Sequence, residues 1–216
     1  MKMRVSALAA AAVLCAAGAA QAAFVVINQG AYSFGNGGEF NAQLTGVSFS
    51  PKALSSSGFF ETFCLEVPEN FQPGATYSAS IATFADGGGA GGQDSSGTDP
   101  LSELTAYLYE QFITGNLAGY DYADSLGQRK NDAGSLQQAI WYLEDEIALS
   151  AVNAKGLAFL AIAANGAGQG LGDVRVVNVY DNSGGKRQSQ LVSIPSPGSL
   201  VLAGVGLAVA ARRRRA

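Results

Sequence analysis

From Ala23 past Tyr77 the chain alternates between short apolar stretches and breaks rich in Gly, Asn and Ser: "AFVVINQ", "GEFNAQLTGVSFS", "SGFFETFCLEV" and "ATYSASIATF". Phe40, Ala42 and Leu44, then Val47 and Phe49, alternate with polar residues, the period of half-buried strands, and predict four or five strands here. "DGGGAGGQDSSGTD", Asp86 to Asp99, reads as a flexible loop. It is one degenerate copy of a glycine-aspartate pattern, too little to assign calcium. The period then changes. Asp99 as N-cap and Pro100 at the first helical position open a helix in which Leu101, Leu104, Leu108 and Phe112 share a face. A second helix is predicted from near Ser135, burying Leu136, Ile140, Leu143 and Ile147. A third runs from Leu157 to Gly166. Strands return in "DVRVVNVYDN" and "RQSQLVSI", joined at Ser183-Gly184-Gly185. Strands, helices, strands: the order predicts one α+β domain, a sandwich- or barrel-like β core with a helical insertion.

The two ends are patterned differently. Lys2 and Arg4 precede an alanine-rich apolar run that ends in Ala20-Gln21-Ala22, the small-x-small layout of a secretory signal peptide cut after Ala22. The alternative is an N-terminal membrane anchor. Cys15 leaves with the leader. At the other end Pro195 and Pro197 precede twelve apolar or glycine residues, Leu200 to Ala211, and then Arg212, Arg213, Arg214 and Arg215. Twelve helical residues rise roughly 18 Å, short of a hydrocarbon core of about 30 Å. The arginines fit a cytoplasmic C-terminus. Such a tail suits a segment that pauses in the membrane until it is processed, with an uncleaved anchor as the alternative. The division is therefore leader 1–22, body 23–193 and tail 194–216.

Removing the ends changes the charge. They hold six of the thirteen basic residues and none of the seventeen acids, so the body keeps seven against seventeen, a net −10. That surface repels nucleic-acid phosphates and anionic lipid. The chain has no histidine, which excludes a Ser-His-Asp triad, a Cys-His pair and histidine metal sites. No metal or cofactor is expected.

One cysteine remains, Cys64, between Phe63 and Leu65 and followed by Glu66, and downstream stands "SLQQAIWYLEDE", Ser135 to Glu146. On the residues alone, Cys64 reads as a buried core thiol, and Gln137 as a glutamine bonding backbone across an interface. The tail resembles the PEP-CTERM sorting signal that membrane exosortases process, with Ser196 where that family has Glu. The body, roughly Phe24 to Val192, resembles the thioester domains of bacterial surface adhesins. There a cysteine after an aromatic or aliphatic residue joins the first glutamine of Gln-x-Ala-Ile-Trp, here Gln137-Gln138-Ala139-Ile140-Trp141. "GKRQSQLVSIP" also resembles sorting-tail proteins just before their signal.

The resemblance implies a Cys64–Gln137 thioester. Thiolate attack on a carboxamide expels ammonia and stores an electrophile that passes the acyl group to an amine or hydroxyl of a partner. Water must be excluded, and Phe63, Trp141 and Tyr142 are the flanking bulk; Gln137 and Trp141 lie one helical turn apart. Glu66 and Glu144 are the carboxylates available to polarise an incoming amine, although such acids ordinarily form a solvated face. The expectation is an exported cell-envelope or extracellular-matrix protein. Signal peptidase and an exosortase-like protease process it, and its ligand is a surface or matrix molecule bearing an amine or hydroxyl. Since a consumed thioester does not regenerate, the chain is read as a non-enzyme. Two alternatives stand beside this: a non-reactive matrix protein of the same shape, and a hydrolase with paired carboxylates such as Glu66 and Glu144.

Overall fold

The computed structural model describes residues 23–195 apart from 56, 88 and 126. The leader, Pro197 and the four tail arginines lie outside the described residues. The elements in chain order are β1 (Ala23–Asn28), β2 (Ser33–Phe34), β3 (Gly37–Gly38), β4 (Phe40–Thr45), β5 (Phe60–Thr62), β6 (Thr76–Ala82), β7 (Phe84–Asp86) and β8 (Thr98–Pro100). Then come α1 (Glu103–Ile113), α2 (Arg129–Leu143), α3 (Ala154–Ala163), β9 (Val174–Tyr180) and β10 (Lys186–Ser193).

The fold is mixed α and β. Six strands form one antiparallel sheet in the order β10-β9-β6-β1-β4-β5, curled into a half-barrel, and three helices pack on it. Its outer strands approach each other just past β5. Leu65 N–H donates to Ser189 O and Leu191 N–H to Phe63 O, each at 3.1 Å, and Cys64 bridges Gln190 between them. Among the described residues no helix is long and apolar enough to cross a membrane.

Alternation along the strands divides the apolar side chains between two cores. Val25, Ile27, Phe40, Ala42, Cys64, Val177, Val179 and Val192 face the inside of the curl. Phe63, Leu65, Val174, Val176 and Leu191 face the helices, which contribute Leu108, Phe112, Leu136, Ile140 and Phe159. Both faces of β9 are therefore covered, which is why "VRVVNVY" reads as a nearly continuous apolar run. Phe112 sits edge-on to Phe63 at 5.0 Å and to Tyr120 at 5.1 Å, tying α1 to the strand that carries Cys64.

Several sequence expectations shift. Asp99 and Pro100 belong to β8, not to a helix start. Ser102 caps α1 by accepting from Thr105 N–H at 3.1 Å, because the chain first pairs Thr98–Pro100 with Phe84–Asp86 across the glycine loop. The helix α2 begins six residues earlier than Ser135, at Arg129, and Ile147 lies beyond its end. Its early start is fixed by tertiary contacts. Arg129 reaches the buried Glu39 through Nη2 at 2.6 Å and Nε at 3.0 Å and lies over the Tyr32 ring, while Tyr120 donates to the same carboxylate at 2.7 Å. Asn153 caps α3, accepting from Gly156 N–H at 2.8 Å, so this helix starts at Ala154 rather than Leu157. Val47 and Phe49 fall in the loop after β4.

Candidate functional site

In an antiparallel bridge flanked as this one is, the bridging residues face each other without exchanging backbone hydrogen bonds. Cys64 is in that position opposite Gln190, so its own N–H and C=O point away from β10. On that other side the pairing of β4 with β5 runs Ala42–Phe60, Asn41–Glu61, Phe40–Thr62. Carried two residues further, this register sets Gly38 opposite Cys64. The rung does not form. The carboxamide of Gln137 stands in its place.

Cys64 N–H donates to Gln137 Oε1 at 3.1 Å, and Gln137 Nε2 donates to Cys64 O at 2.7 Å. Gly38 N–H also donates to Oε1, at 3.3 Å. One side-chain amide thus satisfies three buried backbone groups. Two N–H donors converge on its oxygen, an arrangement that polarises a carbonyl toward nucleophilic attack. Gln137 is buried on α2.

The cover is built from glycine. A Cβ on Gly37 would lie 2.5 Å from Gln137 Cγ and 2.8 Å from the Trp141 ring, and Gly38 has a φ of 94°. Only residues without a side chain let the β2–β3 hairpin close over the carboxamide. Trp141 is half-buried against the inner core, and its Nε1–H is buried with no hydrogen-bond partner among the described residues. Phe63 is buried on the helix side. Tyr142 is half-buried.

The Cys64 thiol is fully buried inside the curl, where Gln190 Nε2 donates to Sγ at 3.4 Å. Burial pushes its pKa well up, the Gln190 contact opposes this, and the charge of Glu66 adds to it. The sulfur is held as neutral thiol, which disfavours a resting thiolate and favours a neutral acyl-sulfur product.

Compared with known proteins, this chain matches no family model, no curated protein and no solved structure.

The carboxylates depart from the solvated face expected of them. Glu66 is fully buried, bonded by Lys186 Nζ at 3.0 Å and by Ser189 N–H at 3.4 Å. Burial first, then the neighbouring Glu69, push its pKa up to about 8 against the pull of Lys186. Glu144 is buried as well and accepts from Ser102 N–H at 3.4 Å; burial raises it to about 7. Asp99, buried near Glu66 and Glu146, is raised to about 6. Glu146 anchors the glycine loop, accepting from Ala90 N–H at 2.6 Å and Gly91 N–H at 3.3 Å, and holds the segment after Cys64 by accepting from Val67 N–H at 2.8 Å. Among the described residues no cluster of acids, cysteine or histidine has the makings of a metal site.

Sequence reading brought Cys64, Gln137 and Trp141 to the same place but missed Gly37, Gly38 and Gln190. The adjacent glycines after a strand pattern were the available signal for the first two. Gln190 shows only as a polar position inside a strand buried on both faces.

Two outcomes follow. Gln137→Ala leaves three buried backbone groups unpaired at about 1–3 kcal/mol each, so urea unfolding should show a loss of about 3–5 kcal/mol; a loss below about 1 kcal/mol contradicts the clasp. Raised carboxyl pKa values mean the folded state keeps protons that the unfolded chain releases. Their contribution is therefore full below the unfolded pKa near 4.5 and fades as pH rises to about 8. Stability should fall from pH 5 to 8, and Glu144→Gln should flatten the fall between pH 5 and 7; an unchanged slope contradicts this assignment.

Proposed function

We propose that the chain is an exported cell-envelope or extracellular-matrix protein that attaches itself covalently to a partner through a thioester between Cys64 and Gln137. The observation that carries this reading is the reciprocal pair of hydrogen bonds between the Gln137 carboxamide and the backbone of Cys64 itself. They hold the carboxamide against the backbone N–H and C=O of the residue whose own side chain carries the sulfur. The basic leader with its Ala20-Gln21-Ala22 site supports export, and Pro195, Pro197 and the arginine block support sorting by a PEP-CTERM-like tail.

The chemistry balances within the chain. Sγ attacks Cδ of Gln137, the Sγ–Cδ bond forms and the Cδ–Nε2 bond breaks. The thiol proton leaves with the nitrogen as ammonia. The N–H groups of Cys64 and Gly38 stabilise the charge that develops on Oε1. A partner amine or hydroxyl then attacks Cδ, the sulfur departs with the partner's proton, and an amide or ester joins Gln137 to the partner. Trp141, Phe63 and the glycine hairpin keep water from the acyl carbon beforehand. Signal peptidase and an exosortase-like protease are the processing partners this reading requires.

A second reading has its own support. The same bonds fill a missing rung of the sheet, and Gln190 already occupies the sulfur; a non-reactive matrix protein of this shape would use them for packing alone. Intact-mass spectrometry of the protein purified from expressing cells separates the two. The thioester reading expects a chain lighter by one ammonia, which gains methylamine on incubation, with both features lost in Cys64→Ala. An unshifted mass with a titratable thiol after unfolding overturns it.

A further inference from the structure

One end of the curled sheet carries a cleft that the clasp does not use. The segment before β6, the start of β6, the turn between β9 and β10 and the start of β10 border a cavity of about 390 Å³. A second cavity of about 180 Å³ continues from it to the turn between β2 and β3. Asn70 and Phe71 line both, so the two form one groove across the mouth of the barrel, a place where barrels commonly hold ligands.

The lining is unusual for a body of net charge −10. Gln29, Asn36, Asn70, Gln72 and Asn182 present exposed side-chain amides to it. None of these amides hydrogen-bonds within the described residues. The only ions of the lining, Asp181 and Arg187, pair with each other at 2.7 Å. The groove therefore offers many donors and acceptors and no uncompensated charge. Each amide sets a donor beside an acceptor at fixed spacing, which matches neighbouring hydroxyls on a ring. Phe71, held edge-on against Phe40 at 5.2 Å, adds an apolar surface at the centre for the C–H face of such a ring. A peptide is the less suited occupant. Main-chain recognition by strand addition needs a free sheet edge, and the edges of the six-stranded sheet meet at the bonds between residues 63–65 and 189–191.

We propose that this groove binds a neutral glycan chain, with Asn70 at the centre of the contact. The binding itself does not depend on the thioester. Its connection to covalent attachment rests on that reading: Gly35 and Asn36 of the groove wall lead into Gly37, which covers Gln137. A glycan held there brings hydroxyls up to the hairpin over the acyl carbon.

The test is a titration of the full ¹⁵N-labelled chain with maltohexaose, cellohexaose and chitohexaose, followed through the side-chain amide resonances. At least one glycan should shift the Asn70 and Asn182 amides, and the doubly substituted Asn70→Ala, Asn182→Ala chain should bind it roughly ten-fold more weakly or worse. Both residues are exposed and unpaired, so the variant should keep its thermal midpoint. Cys64→Ala, which cannot form the thioester, should titrate as the wild type does, which keeps this result separate from the mass measurement. Absence of shifts with all three glycans, or undiminished binding by the double variant, overturns the proposal. Tighter engagement of the same amides by a neutral Gly-Ser peptide overturns it in favour of a peptide ligand.

Discussion

A missing rung organises this molecule. The ladder between β4 and β5 stops at Phe40 and Thr62, and two residues further on the strands admit the carboxamide of Gln137 between Gly38 and Cys64. A side-chain amide has the same donor and acceptor as a peptide group, so the exchange still pairs Gly38 N–H, Cys64 N–H and Cys64 C=O. It differs from a peptide group in one respect that matters for chemistry. Its carbon belongs to a side chain that can exchange nitrogen for sulfur without breaking the main chain.

The surroundings make sense as means of holding that wedge. The Arg129–Glu39 pair ties the first residue of α2 to the residue after Gly38, so helix and hairpin arrive at the carboxamide in a fixed relation. The bridge from Cys64 to Gln190 closes the curl on the other side and turns the cysteine's free backbone edge toward the helix. The Trp141 N–H beside the clasp, without a hydrogen-bond partner among the described residues, is a locally unfavourable feature of the kind that buried polar groups rarely show. Burial of the thiol works in the same direction as the proposed bond, since an acyl-sulfur link carries no charge to desolvate.

Much of this was legible in the residues. Period-two alternation found the strands around Phe40, Ala42 and Leu44, and the 3.6-residue period found three helices, because one face of each is buried against a common core. Cys64 stood out as a lone thiol, and Gln137 through the resemblance of Gln137-Gln138-Ala139-Ile140-Trp141 to the thioester-domain motif. Boundaries were less legible where tertiary contacts override local signals. Asp99-Pro100 resembles a helix start but pairs with β7, and α2 begins at Arg129 because of an ion pair to a residue 90 positions away. Glu66 and Glu144 resembled surface acids; only the fold shows that Lys186 and Ser102 N–H accompany them inside. The wedge itself was hidden, since register between β4 and β5 is not written in either strand alone.

The proposed thioester is made at one carbon atom, Cδ of Gln137. A ¹³C spectrum of the protein labelled at glutamine Cδ reports its bonding directly. A thioester at Gln137 predicts one resonance well downfield of the carboxamide carbons, with no attached NH₂ protons, that disappears in Gln137→Glu and in Cys64→Ala. An ordinary carboxamide signal at Gln137, with both amide protons present, contradicts the thioester.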